Sequence, residues 1–184
     1  MSARVGSAVP PFPEAVQSRF DQLMPPGVPP LRLFTMLARD ERLFTRFMDG
    51  GLLDKGNLSL RHREIVIDRV TASCRCEYEW GVHVTLFAAR AGLTGPELHS
   101  LVHGNADDPC WEETSERVLI RICDTLHAQA NVDAELWAEF SSLFGDEACL
   151  EVLMLAGFYR MVSYLANSTR LPPEPYAARF PTAA

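Results

Sequence analysis

From Leu31 onward, apolar residues recur at three- and four-residue intervals, the period of helices with one buried side. Leu31, Phe34, Leu37 and Ala38 begin the pattern, and Leu43, Phe44, Phe47 and Met48 carry it to Gly50-Gly51, where it stops. Ser59 stands at an N-cap position ahead of a helix expected over residues 60–73, with Ile65, Val66 and Val70 as its apolar stripe. The next helix is expected over residues 76–91, closed by Gly92 as C-terminal cap. Thr94-Gly95-Pro96-Glu97 reads as a capping box opening a short helix, and the polar stretch from Gly104 to Pro109 as a loop. An amphipathic helix is expected over residues 112–130. Asp133 is placed to cap the next one, and a last helix begins after Gly145-Asp146 and ends before the proline-rich Leu171-Pro172-Pro173-Glu174-Pro175, which opens an extended tail. No strand-like alternation and no Gly-x-Gly-x-x-Gly turn interrupts this pattern, so the predicted fold class is all-α.

Residues 1–30 differ in character. They hold Pro10-Pro11-Phe12-Pro13 and Pro25-Pro26-Gly27-Val28-Pro29-Pro30, with a short helix expected between them over Glu14 to Met24. This region is predicted to be an arm packed over the body or over a neighbouring subunit, with residues 31–184 as a single helical domain. The total of 184 residues suits one such domain with a substantial core.

Charge narrows the partners. The net charge of −7 disfavours nucleic acid, which calls for a basic surface, and Glu64 and Asp68 interrupt the one arginine cluster of Arg61, Arg63 and Arg69. That cluster reads as a solvated or paired helix face. The longest uninterrupted apolar runs fall short of the ~20 residues that cross a bilayer, and the first residues show no apolar signal core. Five cysteines, at positions 74, 76, 110, 123 and 149, form no disulfide framework. The expected location is the cytoplasm, with no membrane and no nucleic-acid partner.

The chemistry concentrates between Glu64 and His83. On a helix, Cys76, Glu79, Trp80, His83 and Phe87 share one side, and four of these five side chains can bind or react. Glu79 and His83 are four residues apart, close enough for the carboxylate to orient the imidazole and raise its proton affinity, which makes His83 a candidate acid or base. Tyr78, Trp80, Phe87 and Tyr159 are candidate pocket residues, and Tyr164 and Asn167 share the helix of Tyr159. Cys76, Glu79, His83 and Glu64 also include metal-ligating types, but without the Cys-x-x-Cys or His-Glu-x-x-His spacing of a metal site; no metal is expected. His62, His99, His103 and His127 read as surface or capping residues.

This segment resembles the motif of the alkylhydroperoxidase D-like proteins: Glu, eleven residues, Cys, two residues, Cys, three residues, His. Glu64, Cys76 and His83 match three of its four positions, and Glu79 stands where the second cysteine would be. That replacement is similar to the carboxymuconolactone decarboxylase branch, which lacks the paired cysteines. The Leu-Ser-x-Arg-x-Arg-Glu stretch before the motif, Ala-Gly-Leu-Thr after it and Gly157-Phe158-Tyr159-Arg160-Met161-Val162-Ser163 resemble the same superfamily. The resemblance implies an alkylhydroperoxidase D-like helical bundle that assembles as a homo-oligomer (dimer, trimer or hexamer) and acts on a small molecule without a cofactor.

On the decarboxylase reading, His83 delivers a proton to the dienolate left by carbon dioxide, and Glu64 and Glu79 orient it. A cation must then offset the carboxylates, for which Arg69, Arg90 and Arg160 are candidates. The alternative is a thiol-dependent alkylhydroperoxidase using Cys76. Its resolving partner would be Cys74, which an unbroken helix points roughly 160° away, or Cys110, or a cysteine of another chain. A third reading is an oligomeric binding protein without catalysis.

Overall fold

The computed structural model describes residues 3–25, 27–52 and 54–183; Met1 and Ser2 of the arm and Pro26 of its second proline cluster lie outside the described residues. The described residues are helical with no strand. The helices are α1 (Glu14–Leu23), α2 (Arg32–Leu37), α3 (Glu41–Asp49), α4 (Leu60–Ser73), α5 (Glu77–His83), α6 (Ala89–Ala91), α7 (Gly95–His103), α8 (Thr114–Gln129) and α9 (Ala134–Thr169). A π-helical turn, Val84–Ala88, joins α5 to α6.

The caps fall where the side chains offer them. The Ser59, Thr94 and Asp133 side chains accept from the amides of His62, Glu97 and Leu136, and Glu97 completes the capping box on Thr94. Gly92 takes the left-handed conformation that ends α6. The apolar run from Leu31 divides into two helices, because the Asp40 side chain accepts from Leu43 N and restarts the chain as α3. Gly145 (φ 71°, ψ 166°) breaks α9 between the two helices expected there.

α4 lies at the centre of the bundle, packed against α5, α6, α7, α8 and α9. Every residue from Glu64 to Ala72 is buried, including Ile67 outside the expected stripe. A helix buried all round has no solvent face for its charges, so each polar side chain must find a partner. Arg61 joins α4 to α7 and α8 through Glu97 and Glu116. Arg69 makes two hydrogen bonds to Asp124, at 2.6 and 2.8 Å, and donates to the carbonyls of Leu101 and Gly104. The arginine cluster is thus a paired face turned inward.

α9 is long and apolar enough to cross a membrane by length and composition, with a mean hydropathy of 1.4. In the bundle, its Val152, Leu155, Ala156, Tyr159 and Val162 are core residues. The arm packs over the body: Val16 and Phe20 of α1 form a small second core with Ala38 and Phe44, while Ala15 and Leu23, expected on the same side, are exposed.

The extended tail straps α5. Ala178 N donates to Gly81 O and to Thr85 Oγ1, Phe180 stacks on Trp80 at 5.1 Å, and Arg179 pairs with Glu77 at 2.6 Å. Gly81 permits this approach, since a Cβ there would lie 2.2 Å from the carbonyl oxygen of Ala178. Gly81→Ala is therefore expected to lower stability by about 1–3 kcal/mol through overpacking, outweighing the roughly 1 kcal/mol that helix propensity returns. Thermal unfolding checks this, and an unchanged or raised midpoint would show that the strap is not held here.

Candidate active site

The reversal between α4 and α5 sets the site. Arg75 N donates to Ala72 O and Cys76 N to Thr71 O, both at 2.8 Å, with Arg75 left-handed at φ 54°. This is a Schellman cap formed on a non-glycine residue. The helix expected from Cys76 therefore begins one residue later, at Glu77, with Cys76 as its N-cap. The turn folds α5 back on α4 and brings Glu64 opposite His83.

His83 is held at both ring nitrogens. Nδ1 lies 2.8 Å from Glu64 Oε2, and Nε2 lies 3.0 Å from the Tyr159 hydroxyl and 3.5 Å from Glu79 Oε1. The Tyr159 ring meets the imidazole edge-on at 5.0 Å. Glu64 Oε1 in turn accepts from Arg63 Nε at 3.0 Å. Glu64, Glu79, His83 and Tyr159 are all buried. Burial alone would push the imidazole toward its neutral form. The hydrogen bonds and charges of Glu64 and Glu79 outweigh it and raise the pKa to about 10. His83 is then the charged donor of a carboxylate–imidazolium pair at neutral pH. Because that value exceeds the ordinary one near 6.5, the pair's stabilisation is complete below about pH 6.5 and is lost as pH rises through about 10.

Asp68 belongs to the same neighbourhood and was not expected from the sequence beyond its place among the arginines. It stands one helical turn after Glu64, fully buried, and neither carboxylate oxygen has a hydrogen-bond partner. Burial pushes its pKa well above the usual carboxylate range; the charge of His83 opposes this and that of Glu64 adds to it. Glu79 Oε2 is likewise buried without a partner. No sequence pattern announces an orphaned carboxyl, because the signal is the absence of a partner in three dimensions.

The other candidate residues divide. Phe87 stacks near His83 at 5.3 Å between ring centres. Tyr78 and Trp80 turn toward the tail instead. The Tyr78 hydroxyl donates to Glu174 at 2.7 Å and accepts from Leu33 N, and Trp80 lies under Phe180. Cys76 is fully buried next to Glu79, and burial pushes its thiol up to about 11. The same effect raises the half-buried Cys74. The Cys74 sulfur lies 3.8 Å from His127 Nδ1. Two surface depressions, one on α3 around Arg42 and Arg46, the other around Arg121 and Asp133, lie away from His83. Among the described residues, no group of His, Cys, Asp and Glu is arranged to hold a metal ion.

An all-helical bundle with a buried carboxylate–histidine pair defines the class. Residues 41–119 match the model of the Carboxymuconolactone decarboxylase family. The fold resembles an uncharacterized peroxidase-related protein from Silicibacter sp. TM1040, at 20% identity and a TM-score of 0.78 over 98% of this chain and 99% of that one. It also resembles an alkylhydroperoxidase AhpD core, an uncharacterized peroxidase-related protein from Ralstonia eutropha JMP134, at 16% identity and a TM-score of 0.72 over 95% of each chain. No curated protein matches the chain.

Asp68 gives a stability test. A carboxyl whose folded pKa is raised stabilises the fold least once the pH exceeds its unfolded value near 4, so the wild type is penalised progressively above that pH. Asp68→Asn is expected to gain stability relative to wild type at pH 8 compared with pH 4, measured by denaturant unfolding. A difference between the two proteins that does not change with pH would contradict a raised Asp68.

Proposed function

We propose that the protein is a cofactor-free proton-transfer enzyme that decarboxylates a small carboxylated or lactone compound, with His83 as the acid. The observation that carries this reading is the clamp on His83: Glu64 holds Nδ1 at 2.8 Å, and Nε2 is left to face Tyr159 and Glu79. Heterolysis of the bond to the carboxylate carbon leaves its electron pair on the substrate as carbon dioxide departs. The resulting dienolate takes the proton from Nε2, and the neutral imidazole keeps its Nδ1–H on Glu64. The neutral Tyr159 hydroxyl, beside Nε2, is placed to hydrogen-bond the developing oxyanion. Burial of the cluster strengthens each of these interactions by excluding water.

One observation favours a second reading. The left-handed Arg75 breaks the chain between α4 and α5, so Cys74 and Cys76 are not held on opposite sides of one unbroken helix. One thiolate would attack a hydroperoxide oxygen and release the alcohol. The second thiol would displace water from the sulfenic acid to give a disulfide, which a dithiol must then reduce. Burial raises both thiols away from the thiolate, which is why the decarboxylase reading leads.

The two separate by mutation. In a carbon dioxide release assay over lactone and carboxylic-acid substrates, His83→Ala is expected to lose roughly 10²–10⁴-fold in kcat, with Cys74→Ser close to wild type. Turnover with organic hydroperoxide that disappears in Cys74→Ser, together with a mass-spectrometric Cys74–Cys76 disulfide, would give the peroxidase reading precedence.

A further inference from the structure

The buried cluster poses an electrostatic difficulty for the activity proposed above. Glu64 and Glu79 flank His83, at 2.8 Å from Nδ1 and 3.5 Å from Nε2, and a carboxylated substrate would add another anion. A cation on the approach side would resolve this. Of the three arginines singled out in the sequence, Arg69 is engaged by Asp124 and three carbonyls, and Arg160 by the Tyr164 hydroxyl and the carbonyl of His127. Arg90 is exposed, and among the described residues its guanidinium enters no hydrogen bond or ion pair.

Arg90 is nevertheless placed. Its guanidinium carbon lies over the Phe87 ring, 5.8 Å from the centre, and that of Arg63 lies 5.5 Å from the same centre. Phe87 is half-buried, and its ring centre is 5.3 Å from that of His83. The side chains therefore run from solvent at Arg90, across Phe87, to the imidazole. The π-helical turn produces this order. It begins directly after His83, carries Phe87 and delivers the chain to Arg90, and such turns widen a helix by a residue and re-aim the side chains beyond them. A guanidinium held on an aromatic face keeps its edge available for two parallel hydrogen bonds to a carboxylate, while the ring offers a flat surface to an unsaturated substrate.

We propose that Arg63, Phe87 and Arg90 form the anion-binding rim of the His83 site, taking the carboxylate of a small, flat, unsaturated substrate, with Arg90 as its principal contact. This rests on the proton-transfer reading of His83 for its purpose but not for its test. Arg63 also holds Glu64, so its contribution to the rim cannot be removed without disturbing the acid; Arg90 is the residue to change.

The probe is 2-furoate, with the neutral 2-furamide as control, titrated by NMR at low ionic strength into the wild type and Arg90→Gln. The wild type is expected to bind furoate in preference to furamide, more weakly as salt is raised. Arg90→Gln is expected to bind furoate about tenfold more weakly, the loss of one charge-assisted contact, with furamide affinity unchanged. Phe87→Ala is expected to weaken both probes. Equal furoate affinity in wild type and Arg90→Gln would overturn the rim, as would a wild type that ignores furoate or prefers the amide. The readout is binding, so it stands apart from turnover. A His83→Ala protein that keeps activity removes the proton-transfer reading, whereas unchanged furoate binding in Arg90→Gln removes the rim alone.

Discussion

The burial of α4 on every side is the constraint on which the rest of the site depends. A helix at the centre of a bundle is usually apolar throughout, yet this one carries Arg61, Arg63, Glu64, Asp68 and Arg69 within fourteen residues. Removing one partner of a buried ion pair costs roughly 3–5 kcal/mol, so every neighbouring helix that packs here must bring a complementary group. α7 and α8 bring Glu97, Glu116 and Asp124 to the arginines. α5 brings His83 to Glu64. The ion pairs therefore fix the register of the surrounding helices, and the site is one member of that set.

Asp68 is the exception in that set. Every other charged side chain on α4 has a partner, whereas both Asp68 oxygens are without one, as is Glu79 Oε2. An ionised carboxylate in that position would be expensive, and the structure relieves the cost by favouring its protonated form. His83 goes the other way, held charged by Glu64 and Glu79. Burial of Asp68 and the carboxylates beside His83 thus push both groups in the same direction, toward the protonated form.

Much of this arrangement was legible in the sequence because it depends on local signals. Ser59, Thr94, Gly92 and Asp133 announce helix ends through their own side-chain or backbone chemistry, and they cap the helices where expected. The pairing of Glu79 with His83 comes from a four-residue spacing. The facing of Glu64 and His83 came only from the resemblance, because it depends on the turn between two helices. That turn was hidden: Arg75 adopts a left-handed conformation that glycine or asparagine would have advertised and arginine does not. The side chosen by Trp80 and Tyr78 was hidden too, since the tail that covers them lies far along the chain, at Glu174 and Phe180, and shows no periodicity. The π turn after His83 has no compositional mark at all.

The central claim is that Glu64, in the buried core, holds His83 as an imidazolium at neutral pH. A ¹⁵N NMR titration of the His83 ring in the wild type and in Glu64→Gln tests it most directly. The account predicts that both wild-type ring nitrogens stay protonated through pH 8, with a titration near pH 10, and that the midpoint falls in Glu64→Gln. A wild-type midpoint at the ordinary histidine value near 6.5, unmoved by the substitution, would contradict it.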